Sequence, residues 1–282
     1  MIGFDFSYYR PENVNEAVSL FQQIKNLGKR PMYFSGGTEI ITKSRAADLV
    51  LDAVIDIKDI LECNLCHFEG EELVIGSGVT LTKAAEANLF PLLTSVATGV
   101  ADHTSRNKIT IGGNLCSELI FKEVVLPFLL SESDIVIAGT NGLRRLPIMD
   151  LFTQSLQLQD GELLVQLRTI KHYTEIPYFH LKRTKQTKID YPLFTIAMMK
   201  AAQNMRLACS GLHAFPFRSL EVEKMLNNNT LSITERVHQA VSHLENGVID
   251  DIQGSAEYRK FLFTEGLTDA LVQMEASSDD IR

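Results

Sequence analysis

The chain has 282 residues, 45% hydrophobic and 22% charged, which is the range of soluble globular proteins and long enough for two or three compact units. A formal net charge of -8 argues against nucleic acid as the main partner, because neutralising phosphates wants a basic face. The densest basic run, residues 182–188, reads instead as a solvated loop with one or two working residues.

Residues 1–6 lack the basic and apolar regions of a signal peptide, which gives the expectation of a cytoplasmic protein. No apolar stretch approaches a bilayer span; residues 124–130, for example, are broken by Pro127. Cys63, Cys66, Cys116 and Cys209 are too few and too scattered for a disulfide framework.

In chain order, Val14, Ala17, Val18, Phe21, Ile24 and Leu27 recur at helical spacing behind a capping Asn13, with Glu16 completing a capping-box pattern and Gly28 ending the helix. A short strand, residues 32–34, delivers Ser35-Gly36-Gly37-Thr38-Glu39, and residues 40–43 start a further helical turn. Residues 54–57 and 73–76 read as buried strands flanking a loop that holds Cys63 and Cys66. Residues 82–87 and 91–100 read as short helices, the second with Pro91 at its favoured first position. A second glycine pair follows in Thr110-Ile111-Gly112-Gly113-Asn114, set among apolar residues that predict a strand end. Residues 123–130 are apolar at helical spacing, residues 134–138 and 143–146 form a hairpin around Asn141-Gly142, and a strand opens at 161–165. Beyond 176 the texture changes. Three antiparallel strands, 178–181, 193–201 and 205–212, precede helices over 220–226, 233–244 and 255–274, with 275–282 as a frayed tail.

Glycine permits positive φ and close approach, and successive N–H groups can form an anion-holding nest, so two glycine pairs predict two walls around a diphosphate. Either pair alone is equally well read as a tight turn. A third segment, Gly76-Ser77-Gly78-Val79-Thr80-Leu81, lacks the last glycine of a dinucleotide fingerprint, and no acidic residue follows at the required distance. Cys63-Asn64-Leu65-Cys66-His67 matches the short pattern for covalent haem attachment, yet it stands in a charged loop with no export signal and reads as an incidental pair, with a thioredoxin-like or metal role as the alternative. Ferredoxin-type cysteine spacing, zinc-hydrolase histidine motifs and a nucleophile elbow are absent from the sequence. No residue is singled out as catalytic or metal-binding, which points to a cofactor that carries its own chemistry.

These residues resemble the FAD-binding subunits of the molybdenum hydroxylases, the group of xanthine dehydrogenases and aerobic carbon monoxide dehydrogenases. The similarity is carried by Gly36-Gly37-Thr38-Glu39, by Arg106-Asn107 running into residues 110–114, and in support by residues 54–57, 161–164 and 255–259. The resemblance implies an α+β fold: a bipartite FAD-binding domain over 1–175, with subdomains of about 1–55 and 56–175, then a C-terminal domain over 176–282 of a three-stranded antiparallel sheet and a helix bundle. It implies that Ser35, Gly36, Gly37, Thr38 and Glu39 form one phosphate loop and Thr110, Gly112, Gly113 and Asn114 the other. Lys182 then lines up with a lysine that approaches the flavin ring, and Glu123 with an acidic residue near the ribityl chain. The usual pattern has a proline and an aspartate where this chain has Ile120 and Glu123. The residue-level alternative for Glu123 is an exposed first-turn position of the helix over 123–130. By the same resemblance, an iron-sulfur subunit and a molybdopterin subunit are the partners, and FAD passes electrons to NAD or another acceptor. Two other readings stay open: an independent flavin oxidoreductase of this fold, and a flavin-free interaction or assembly protein.

Overall fold

The computed structural model describes residues 2–187, 189–244 and 246–279, with the side chains of 277–279 excepted; Lys188 of the basic run and tail residues 280–282 lie outside them. The chain divides into two compact units. The first gathers Met1–Leu89, Asp102–Ser117 and Glu132–Lys171; the second gathers Phe90–Ala101, Glu118–Ser131 and His172–Arg282.

In the first unit, β1 (Ser7–Tyr9), β2 (Pro31–Phe34) and β3 (Ala53–Asp56) form a parallel sheet in the order β1-β3-β2. Parallel strands need crossover connections. The helix Val14–Asn26 supplies one between β1 and β2, and Thr38–Arg45 supplies the other between β2 and β3. The Asn13 side chain accepts from the Glu16 N–H at 2.9 Å, as the cap pattern predicts, but Glu16 reaches back to the N–H of Glu12, at 2.8 Å, and not to that of Asn13. Val14, Ala17, Val18, Phe21 and Ile24 bury against Ala53, Ile55, Ile57 and Ile60, and against Ala138, Leu163 and Val165 of the larger sheet.

That larger sheet is antiparallel, in the order β4-β5-β8-β6-β7, from β4 (Cys66–Glu69), β5 (Glu72–Gly76), β6 (Asp134–Gly139), β7 (Gly142–Pro147) and β8 (Leu163–Ile170). The predicted hairpin at Asn141-Gly142 is present, with Gly142 at a φ of 94°. The loop expected around the cysteines is ordered instead. Cys63 sits in a 3₁₀ turn, Leu61–Asn64, and Cys66 opens β4, whose pairing with β5 uses the backbone groups that a loop would leave to water.

The second unit is built on an antiparallel sheet ordered β12-β11-β10-β9, from β9 (Tyr178–Thr184), β10 (Pro192–Ala201), β11 (Asn204–Ser210) and the two-residue β12 (Phe217–Arg218), an edge strand beyond the three expected. Leu193, Phe194, Ile196, Met198, Leu207 and Cys209 form its core with Val222 and Leu226 of the helix Leu220–Leu226, Val237 and Ala240 of Ile233–Ser242, and Phe263, Leu267 and Leu271 of the last helix. That last helix runs Ala256–Asp279, so residues 275–279 of the expected frayed tail are helical. Arg236, almost wholly buried, donates to Glu275 at 2.6 Å and fixes the helix beyond its apolar part.

Candidate functional site

The first glycine loop lies where β2 ends and Thr38–Arg45 begins. Gly37 is the N-cap, with a φ of 70°, and a Cβ there would stand 2.3 Å from the Phe34 ring. Gly36 is needed for another reason: its Cβ would fall 1.7 Å from the Lys108 carbonyl oxygen and 3.5 Å from Thr110 Cγ2, so the two glycine loops pack directly together. Without a side chain Gly37 cannot cap this helix. Its N-terminus therefore presents amide donors at the positive end of the helix dipole, a ready anion site. Ser35 Oγ is buried and has no hydrogen-bond partner among the described residues, so it is a hydroxyl that a ligand can satisfy. Glu39 pairs with Lys43 at 3.0 Å, and the Thr38 carbonyl accepts from the Thr42 hydroxyl at 2.8 Å.

The second loop differs from expectation. It follows the short helix His103–Arg106, and Ile111–Leu115 form a single helical turn capped by Thr110. The N–H of Ile111 donates to Val79 O at 2.9 Å, that of Gly112 to Ser77 O at 2.8 Å, that of Gly113 to Thr110 Oγ1 at 3.1 Å and that of Asn114 to Thr110 O at 2.9 Å. All four amides are engaged inside the unit, so no second amide nest is formed. Candidate donors here are on side chains, the Thr110 hydroxyl and the Asn114 carboxamide. Gly112 serves close packing, since its Cβ would come 2.5 Å from Ser77 Cβ; a Cβ on Gly113 would meet only Thr110 Oγ1, at 2.9 Å.

The rejected dinucleotide-like segment acquires a role through this packing. Gly78 donates to Cys63 O at 2.7 Å, Thr80 bridges Thr110, and Ser77 and Val79 receive the second loop. Its Gly-x-Gly spacing after a strand signalled close backbone approach, and that is the use it is put to. Lys58 carries no sequence signal, yet it reaches the first loop. Its Nζ lies 2.5 Å from Asp56 Oδ2, 3.3 Å from the Ser35 carbonyl oxygen and 4.6 Å from the centroid of Phe34.

Glu123 and Lys182 are brought together in the second unit. Lys182 Nζ donates to Glu123 Oε2 at 3.2 Å and to the Gly99 carbonyl at 2.8 Å, while the Thr195 hydroxyl donates to Glu123 Oε1 at 2.7 Å. Glu123 is only 3% exposed and precedes the helix Val125–Leu130, so the exposed first-turn alternative is overturned. Burial pushes its carboxyl above the usual carboxylate range, against the pull of the Lys182 ammonium and the Thr195 hydroxyl. His180, two residues before Lys182 on β9, holds Ser95 Oγ at Nδ1, 2.8 Å away. Burial and the Lys182 charge push this imidazole down to about 4.

Cys63 is fully buried, its thiol pushed up to about 11 by that burial, and His67 on β4 lies 3.5 Å from Glu69. Among the described residues no three His, Cys, Asp or Glu side chains stand together as a metal site, and no helix is long and apolar enough to cross a membrane.

Residues 4–169 match the family model described as the FAD binding domain in molybdopterin dehydrogenase. The chain belongs to this family. It is similar to the glyceraldehyde dehydrogenase medium chain of Sulfolobus acidocaldarius, 25% identical over 274 residues that cover 91% of this chain and 93% of the relative. It is 30% identical over 175 residues to the carbon monoxide dehydrogenase medium chain of Hydrogenophaga pseudoflava, covering 60% of each. A solved structure of carbon monoxide dehydrogenase from Hydrogenophaga pseudoflava shares the fold, with a TM-score of 0.86 at 23% identity over 98% of this chain and 99% of that one. Quinoline 2-oxidoreductase from Pseudomonas putida 86 does so with a TM-score of 0.84 at 20% identity, over the same shares. Membership makes FAD the cofactor and makes the chain the FAD-binding subunit of a molybdenum hydroxylase-type oxidoreductase. The first loop fits that group, with a side-chain-free helix N-terminus and an unsatisfied buried Ser35 hydroxyl beside it.

Proposed function

We propose that this chain is the electron-exit module of a three-part complex, taking electrons from iron-sulfur clusters on one partner, with a molybdopterin on a second, and delivering them to NAD or another acceptor. Bound FAD supplies the redox chemistry, accepting electrons singly and releasing them in pairs. The uncapped N-terminus of Thr38–Arg45 at Gly37 is the observation that carries the assignment of residues 35–39 to the diphosphate. Thr110, Gly112, Gly113 and Asn114 complete the phosphate site in this reading, the glycines by permitting the packing against residues 76–80 and the other two through their side chains. Glu123 and Lys182 are assigned to the ribityl chain and the flavin ring by the family resemblance, and their mutual ion pair sets the orientation of both side chains. The relatives named as medium chains and as FAD-binding subunits support a multi-chain assembly, and a cytoplasmic site of action belongs to the same reading.

The test is purification of the chain from its source with whatever binds it, followed by metal analysis and flavin extraction. Iron, molybdenum and FAD should co-purify, and anaerobic NADH should bleach the flavin if NAD is the acceptor. A lone homo-oligomer with full activity on an organic substrate would remove the electron-exit assignment.

A further inference from the structure

The three strands of the small parallel sheet are tied across their C-terminal ends by polar side chains for which neither the sequence patterns nor the family assignment provides a role. Tyr8 of β1 donates its hydroxyl to Asp56 Oδ2 of β3. The same carboxylate, 1% exposed, receives Lys58 Nζ at 2.5 Å on Oδ2 and the Lys58 N–H at 3.0 Å on Oδ1. Lys58 Nζ in turn donates to the carbonyl of Ser35, just past β2, at 3.3 Å. The Asn64 carboxamide donates to Lys58 O at 2.8 Å, so the backbone carrying the ammonium is pinned as well. From this position the ammonium lies over the Phe34 ring, the ring that a Cβ on Gly37 would strike. Lys58 thus meets the first glycine loop twice, at the carbonyl of Ser35 and through the ring beneath Gly37.

A carbonyl held on one side of a peptide plane fixes the N–H on the other. Anchoring Ser35 O therefore sets the direction of the Gly36 amide, and the Phe34 ring limits where Gly37 can lie. The glycines that allow this backbone shape also leave it loose unless something else restrains it. Burial alone would push the Asp56 carboxyl up, but the hydrogen bonds from Lys58 and Tyr8 prevail and it lies below the usual range, so a carboxylate is present to hold the ammonium.

We propose that Tyr8, Asp56 and Lys58 form a positioning brace that presets the first glycine loop for a diphosphate, with Lys58 acting on the loop backbone and not on the phosphate. This rests on the reading that residues 35–39 hold the diphosphate of FAD.

Apo-protein is titrated with FAD, ADP and riboflavin, comparing wild type with Lys58→Met, Lys58→Arg and Tyr8→Phe, each checked for folding by circular dichroism. Lys58→Met should weaken both FAD and ADP by about tenfold and leave riboflavin unchanged, the size expected for one lost charge-assisted hydrogen bond. Lys58→Arg should recover most of the loss. Tyr8→Phe, which removes one hydroxyl from a half-exposed ring, should weaken the same two ligands by a few-fold. Wild-type affinity for FAD and ADP in both Lys58→Met and Tyr8→Phe would overturn the brace. A Lys58→Met protein whose affinity for ADP loses about one unit of salt slope would overturn it too, by making Lys58 a phosphate ligand. Should wild type bind FAD no better than riboflavin, the failure lies in the diphosphate reading and appears before any variant is compared.

Discussion

Glu123 has both carboxylate oxygens engaged inside a nearly closed environment, one by Lys182 and one by Thr195. Removing one member of such a pair strands the other, which costs more than the pair itself contributes. Glu123→Ala should therefore destabilise the second unit by about 3 kcal/mol, and Lys182→Met in the same chain should recover part of the loss, as read by urea denaturation. Under the ribityl assignment the same Glu123→Ala, titrated with FAD under native conditions, should bind about tenfold more weakly, and unchanged affinity would remove that role. His180 adds a pH dependence of known sign. Its folded-state pKa, about 4, lies below the ordinary value of 6.5, so the unfolded chain takes up a proton first as pH falls. Stability from this group is complete above about pH 6.5 and is lost progressively toward pH 4, by no more than about 3 kcal/mol. His180→Gln should flatten the fall in urea midpoint over that window, and an unaltered slope would place the acid sensitivity elsewhere.

The glycines sort by what a Cβ would meet. Gly36→Ala sets a methyl into the Lys108 carbonyl and should lower the thermal midpoint by several degrees, whereas Gly113→Ala presses on the Thr110 hydroxyl alone and should cost less, through the cap it disturbs. Differential scanning calorimetry of the two gives the order, and equal midpoints would contradict the packing of the loops. The helix Val14–Asn26 and the Asn141-Gly142 hairpin were legible because period and turn chemistry are local signals. The helical turn Ile111–Leu115 was not, since two glycines oppose helix and the bonds to residues 77–79 are tertiary supports that no local pattern announces. Strand β4 escaped notice because it is four residues long and owes its existence to β5. Glu123 could not be read as buried, as its ammonium partner stands 59 positions away. The brace at Lys58 was hidden for a similar reason: Tyr8 and Ser35 reach it only through strand order.

Unit boundaries at the scale of the whole chain cut across its order. The segments Phe90–Ala101 and Glu118–Ser131 belong with His172–Arg282, and all of Val125–Leu130 is buried. Arg206 and Arg218 of its sheet donate to the carbonyls of Leu130 and Leu129, at 2.6 and 2.9 Å. A fragment beginning at 176 thus lacks part of its own core and one carbonyl acceptor for each of two partly buried guanidinium groups. It should lose cooperative unfolding, and adding back residues 118–131 as a peptide should restore some of it; a sharp transition in the bare fragment would show that the interleaved segments are dispensable. The same interleaving bears on the chain as it is being made. Domains ordinarily fold as they leave the ribosome, the N-terminal one first. Here an oily hexapeptide stretch emerges well before the strands that will cover it, and it must stay exposed while the rest of the other unit is translated. Nascent chains should recruit a holding chaperone from the time Leu130 clears the exit tunnel until β11 does, and starving the cell of that chaperone should cost this protein more yield than a chain whose cores close in sequence.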